Sequence, residues 1–247
     1  MGYWSHHDYH RLNVKDFVEE FCTWKPLKEL ISYASLGRDQ AFVSVLFLTG
    51  GRVSEVLALK RENFEVRQAE GLAIVRNMKL LKRYKKLSEI LDAEGNKRWI
   101  TELVEAKRKP FPIMLREPLT PFLIEWLGQT EGLLFRSPYK LGFPLSRFWA
   151  YNLVRQIDKE IPLTLRRDLG LNKPFIKDGK RISDRLHLWL HWFRSQRASQ
   201  LVSDYGYEVI DLIDFFSWER YDTALTYARK GWRGLASKMQ IAQVAYA

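Results

Sequence analysis

The feature that most constrains this chain is an apolar run closed by two glycines: Ala41-Phe42-Val43-Ser44-Val45-Leu46-Phe47-Leu48-Thr49-Gly50-Gly51. With Arg38-Asp39-Gln40 before it, the run reads as a buried helix. Gly50-Gly51 is its stop, because glycine enters the left-handed conformation that ends helices at little cost. The run is far too short to cross a bilayer, which takes about twenty apolar residues. It belongs to a globular core.

Its neighbours extend the pattern. The segment from Pro26 to Ser35 reads as a helix with Leu27, Leu30 and Ile31 on one side. Ser54 to Leu59 begins a third helix, with Ser54 as its N-cap. The period then changes. Asn63–Arg67 and Gly71–Lys79 read as two strands around a turn at Gln68–Gly71, and Pro110–Leu115 as a third. A long polar insert, roughly Leu81 to Lys109, separates the last two. From Leu119 the chain is mostly helical again, apart from a loop rich in Pro, Gly and Lys from about Pro162 to Lys180. Leu186, Leu190 and Phe193 then mark the core stripe of a long helix. The expected architecture is mainly helical α+β with a small antiparallel three-stranded sheet.

Composition narrows the partners. The 247 residues hold 46% hydrophobic residues, enough to bury a sizeable core. The net charge is +11. A domain this basic usually meets a polyanion, nucleic acid or an anionic membrane surface; a solvated basic surface is the alternative. Cys22 is the single cysteine, so neither a disulfide framework nor a cysteine zinc site can be built, which fits a reducing cytoplasm. The first ten residues carry no secretory apolar region. Their histidines, His6, His7 and His10, read as solvated terminal side chains rather than metal ligands. The expectation is a cytoplasmic protein with no metal, no cofactor and no membrane partner.

Three groups of residues stand out chemically. Between Arg76 and Lys109 the chain carries eleven basic residues against five acidic ones. Arg76, Lys82, Arg83, Lys85, Lys86, Lys107, Arg108 and Lys109 are the candidate phosphate contacts along DNA; a solvated hairpin is the alternative reading. His191 and Arg194 form H-x-x-R, a spacing that puts both on one helical face, about 100° around from the core stripe. Tyr227 lies 100° or more off the stripe formed by Tyr221, Ala224, Leu225 and Ala228, so its phenol is expected to reach solvent or a phosphate. From its helix alone a half-exposed surface aromatic is the better reading. There is no phosphate-binding loop, no H-E-x-x-H, no nucleophile elbow and no carboxylate cluster of the two-metal kind.

Thr49-Gly50-Gly51-Arg52-Val53-Ser54-Glu55-Val56-Leu57-Ala58-Leu59 resembles the first signature of the tyrosine recombinase (phage integrase) family, T-G-x-R-x-S-E-[aliphatic]-x-x-L. His191, Arg194, Trp218 and Tyr227 match the second signature in order. Tyr227 lies 33 residues after Arg194 and nine after Trp218, similar to Xer-type and Cre-type recombinases. The resemblance implies that Arg52 and Arg194 bind the scissile phosphate, with Glu55 helping to hold the site. It implies that Trp218 stands where many members have histidine, and that Tyr227 is the nucleophile. The family's lysine on the turn between the second and third strands is Lys79, with Lys82 as the alternative. Double-stranded DNA is the implied partner, bound by a homo-oligomer, a tetramer.

The resemblance spans about Pro26 to Gly231. Residues 1–25 are expected to be a short extension and 26–247 the catalytic domain, with a tail from about 232. The departures are the absence of the helical domain that normally precedes the catalytic one, the long insert at the lysine turn, the lengthy loop before His191, and Ser195 in place of a second histidine. A topoisomerase of type IB, and a DNA-binding descendant without catalysis, are the alternatives.

These residue types suit the chemistry. Two guanidiniums clamp the charge that builds on phosphate oxygens in the transition state. A phenol of pKa about 10 needs a base or a cationic field near neutral pH, and His191 would supply the base. Trp218 has only a donor N–H, and a lysine beside the leaving oxygen can return a proton.

Overall fold

The computed structural model describes residues 21–80, 83–91, 94–95, 97–104, 106–172, 175–177, 180–183, 187–219 and 221–227. Three helices open the described chain. Helix α1 (Trp24–Ser32) buries Leu27, Leu30 and Ile31, the expected face. Helix α2 (Gly37–Thr49) has every residue from Ala41 to Thr49 buried. It packs against three later helices, which is why its sequence shows no polar side. Gly50 ends it at φ +53°, in the left-handed region.

The reason for two glycines is steric. A Cβ on Gly50 would run into the ring of Phe216, and one on Gly51 into the methyl of Met78. Helix α3 (Val53–Leu57) starts two residues earlier than expected. Its N-cap position is Arg52, not Ser54, because Glu55 rather than a serine hydroxyl serves the orphan donor. The Arg52 N–H donates to Glu55 Oε2 at 2.8 Å.

The three-stranded sheet is present. Strands β1 (Phe64–Arg67) and β2 (Leu72–Val75) pair antiparallel, Phe64 opposite Val75. The polar insert is itself a hairpin of β3 (Arg83–Leu91) and β4 (Lys97–Val104), with a bulge between Lys86 and Ser88. Strand β5 (Phe111–Met114) returns to pair with β2, Leu72 opposite Met114. Phe64, Ala73, Val75, Phe111 and Ile113 bury the inner face.

Helices α4 (Thr120–Gly128) and α5 (Arg147–Glu160) follow. The Ser146 hydroxyl caps α5 by accepting the Trp149 N–H at 3.1 Å. The loop expected over 162–180 is instead helix α6 (Leu163–Asp168) and a hairpin of β6 (Phe175–Lys177) and β7 (Lys180–Ser183). Leu165, Leu169 and Leu171 are all buried, and that apolar anchorage organises a stretch whose composition suggested none.

Helix α7 (Leu190–Asp204) is central. Trp192, Phe193, Arg194, Gln196, Arg197, Ala198, Gln200, Leu201 and Val202 are all buried. The single-stripe expectation is therefore corrected: α7 is covered on most sides, and Leu186 lies outside the described residues. Helix α8 (Val209–Phe216) ends at Ser217 in the left-handed conformation, which turns the chain into α9 (Tyr221–Tyr227). Helix α9 packs on α7 and α8. One hydrophobic cluster includes residues from Phe21 to Tyr227. Among the described residues no helix is long and apolar enough to cross a membrane.

Candidate active site

Arg52 stands at the mouth of the Gly50-Gly51 turn, its side chain 41% exposed. Its Nη1 bonds Glu55 Oε1 at 3.1 Å. Glu55 is buried and faces a second arginine from the far end of the chain: Arg194 Nη1 lies 4.0 Å from Glu55 Oε2 and donates to the Gly50 carbonyl at 2.5 Å. One carboxylate thus stands between the two arginines. Arg194 is 2% exposed, and burial lowers its pKa to about 10, with Glu55 opposing the fall and Arg52 adding to it. Two close cations in low dielectric favour an anion between them.

The guanidinium of Arg194 lies over aromatic rings, 4.7 Å from the centre of Phe216 and 5.3 Å from that of Trp218. Trp218 stacks on Phe216 at 4.5 Å and on Tyr227 at 5.1 Å. These contacts are cation–π and offset-stacked pairs. They set the plane in which the Tyr227 ring lies.

Tyr227 is 5% exposed and belongs to the core cluster, so the off-stripe reading is corrected. In α9 the buried positions are Ala224 and Tyr227, while Tyr221 and Leu225 face solvent. The helix lies against two elements at once, and no single apolar stripe describes it. Its hydroxyl is not sealed under hydrocarbon. His191 Nε2 lies 3.3 Å from Tyr227 Oη, and His191 is exposed. Either the phenol donates to an unprotonated Nε2 or an Nε2–H donates to the phenol oxygen; the pair is placed for proton exchange either way.

One turn further along α7, Arg197 is anchored by Glu117 at 2.7 Å and Gln200 at 2.8 Å. The Tyr205 hydroxyl donates to Glu117 at 2.8 Å, and burial with that carboxylate pushes the phenol up to about 12.

Lys79 is exposed and forms an isolated antiparallel bridge with Lys107, at the base of the β3–β4 hairpin. Met78, just before it, packs against Gly51. Lys82 lies outside the described residues. Of the expected phosphate contacts, Lys107 is exposed. Arg76 is ion-paired with Glu65 at 2.7 Å and Lys109 with Asp214 at 2.5 Å, both at the surface. Arg83, Lys85 and Lys86 lie on β3.

Arg108 is a correction. It is 3% exposed, its Nη1 donates to the Thr49 carbonyl at 2.9 Å, and its Nη2 donates to the Phe215 carbonyl. A guanidinium enclosed in this way is not a surface phosphate contact. Burial, and next the charge of Arg194, push its pKa well below the usual guanidinium range.

Sequence reasoning missed Arg108, Arg197 and the Phe216 ring as parts of the site. Arg194 and Arg197 share a face of an apolar helix, which was a usable signal. Arg108 sits in Lys107-Arg108-Lys109, a run that looks the same whether solvated or buried. Among the described residues no group of three or more His, Cys, Asp or Glu is placed to hold a metal ion.

No protein-family model and no curated protein sequence matches the chain. Solved structures do. The XerH site-specific recombinase bound to its difH substrate, in a pre-cleavage complex, aligns at TM-score 0.50 and 16% identity over 88% of this chain and 52% of its own. XerA recombinase aligns at 0.49 and 18%, over 89% and 64%. The Tn1549 transposon integrase in complex with circular intermediate DNA aligns at 0.48 and 12%, over 87% and 64%. The fold is that of tyrosine recombinase catalytic domains. The chain spans about half the length of the XerH chain it matches.

Proposed function

We propose that this chain is a site-specific DNA recombinase or integrase that cleaves and rejoins double-stranded DNA through a 3′-phosphotyrosine link on Tyr227. Residues 26–247 form its catalytic domain, and it works as a tetramer on DNA. The observation that carries the reading is the convergence of Arg52 and Arg194 on Glu55, beside the His191–Tyr227 contact.

The scissile phosphate sits between the guanidiniums of Arg52 and Arg194, which bind its non-bridging oxygens more tightly as charge builds on them. Trp218 orients the Tyr227 ring by stacking. The Tyr227 oxygen attacks phosphorus, His191 takes the phenol proton, and the bond to the 5′-oxygen breaks. Lys79 returns a proton to that oxygen. The new phosphodiester keeps the bond energy, so rejoining needs no nucleotide. Lys107, Lys109 and the β3–β4 hairpin contact the DNA backbone, where partners such as Asp214 are exchanged for phosphate at little cost because they are exposed.

The test is a pool of nicked duplexes with randomised cores, from which protein-linked DNA is recovered under denaturing conditions. Wild type forms a resistant adduct through Tyr227, and Tyr227→Phe forms none. An adduct in Tyr227→Phe, or DNA binding by wild type without any adduct, overturns the proposal.

A further inference from the structure

The mechanism above does not use Arg108, yet this side chain joins three chain segments of the site's framework. Its Nη1 donates to Thr49 O, and lies 3.4 Å from Met78 Sδ. Its Nη2 donates to Phe215 O, and its backbone N–H donates to Met78 O at 2.8 Å. Thr49 precedes the Gly50-Gly51-Arg52 turn, Met78 precedes Lys79, and Phe215 begins the Phe215-Phe216-Ser217-Trp218 segment. One planar fork thus sets the spacing of the chain segments that carry Arg52, Lys79 and Trp218. The consecutive carbonyls of Thr49 and Gly50 each receive one guanidinium, from Arg108 and Arg194 respectively.

Among the described residues no carboxylate forms an ion pair with Arg108, and Glu55 acts on its charge only from a distance. Arg108 Nε has no acceptor among the described residues. Its Cζ lies 4.0 Å from the centre of the Phe111 ring and 5.7 Å from that of Phe216, the ring that also carries Arg194. A buried cation with only carbonyl and aromatic partners is costly to fold around. That cost falls when an anion enters the same low-dielectric region.

We infer that Arg108 is a positioning residue of the phosphate pocket: it ties the Arg52, Lys79 and Trp218 segments together, and its buried charge draws an oxyanion to Arg52 and Arg194. The inference rests on the strand-cleavage reading of that pocket.

Orthovanadate, a phosphate-like oxyanion, tests it without DNA. Thermal unfolding of wild type, Arg108→Met, Arg108→Lys and Leu127→Ala is followed across a vanadate titration, and the dissociation constant is fitted from the shift in stability. Leu127→Ala is a core variant that controls for lost stability alone. Wild type and Leu127→Ala bind vanadate equally within twofold. Arg108→Met binds at least tenfold more weakly. Arg108→Lys falls between, because an ammonium keeps the charge but cannot span the Thr49 and Phe215 carbonyls. Wild-type affinity in folded Arg108→Met overturns the inference and leaves the cleavage reading standing. If Arg108→Met does not fold, Arg108→Lys decides, and wild-type affinity there overturns the inference equally. No vanadate stabilisation of wild type removes the phosphate pocket itself, and both readings fall.

Discussion

Replacing Arg194 by methionine separates what the side chain does for the fold from its proposed role towards phosphate. Burial lowers its pKa to about 10. Against an ordinary guanidinium near 12.5, at about 1.4 kcal/mol per pH unit, the buried charge costs roughly 3–4 kcal/mol at neutral pH. Methionine removes that cost and refills the volume against Phe216 and Trp218. It leaves the Gly50 carbonyl without its donor, worth about 1 kcal/mol, and loses aromatic contacts worth about another 1 kcal/mol. Glu55 is not orphaned, because Arg52 still holds both its oxygens.

The net expectation is stability unchanged or raised by about 1 kcal/mol in urea unfolding at pH 7, while cleavage of the nicked pool falls at least several hundredfold. The sign of the pH dependence follows. The folded chain holds the Arg194 proton less tightly than the unfolded one. The cost is therefore complete below about pH 10, and it is relieved as pH rises towards the ordinary guanidinium value. Any advantage of Arg194→Met shrinks across that window. A loss of 3 kcal/mol or more at pH 7 would refute the reasoning, since Arg194 would then be a net stabiliser.

Three further outcomes are expected. Gly51→Ala destabilises by roughly 1–3 kcal/mol through contact with Met78, and Met78→Ala in the same chain recovers part of the loss; strict additivity in a double-mutant cycle rejects that contact as the cause. Cleavage by Lys79→Ala recovers with a 5′-thiolate leaving group, which needs no acid; rescue of Lys82→Ala in its place transfers the role. Lys85→Ala with Lys86→Ala on β3 lowers the slope of DNA affinity against salt concentration by up to about two, and an unchanged slope in fluorescence anisotropy excludes these lysines from the interface.

What was legible in the sequence follows from how many neighbours each element has. Helix α1 meets the core on one side, so the Leu27/Leu30/Ile31 spacing displays its face. Helix α2 is covered all round, and its unbroken apolar run says so. The Arg52 turn was legible because local geometry demands it: glycines where other chains press close, then a glutamate three residues after the arginine whose N–H it accepts. Helix α9 misled because it is seven residues long and wedged against two partners, so Tyr227 is buried while Tyr221 and Leu225 are not. The β6–β7 hairpin went unread because its composition is that of a solvated loop and its pairing is with itself. Arg108 was hidden for a different reason. Its acceptors are main-chain oxygens more than a hundred residues apart in the sequence, and carbonyls leave no trace in residue identity.

The order in which the site's parts leave the ribosome has a consequence. Carbonyls at 49 and 215 meet a guanidinium at 108, and the Tyr227 phenol that contacts His191 comes last. On the strand-cleavage reading, a chain interrupted before helix α9 would hold the proposed phosphate-binding arginines without the proposed nucleophile, so prematurely terminated copies would occupy DNA without nicking it.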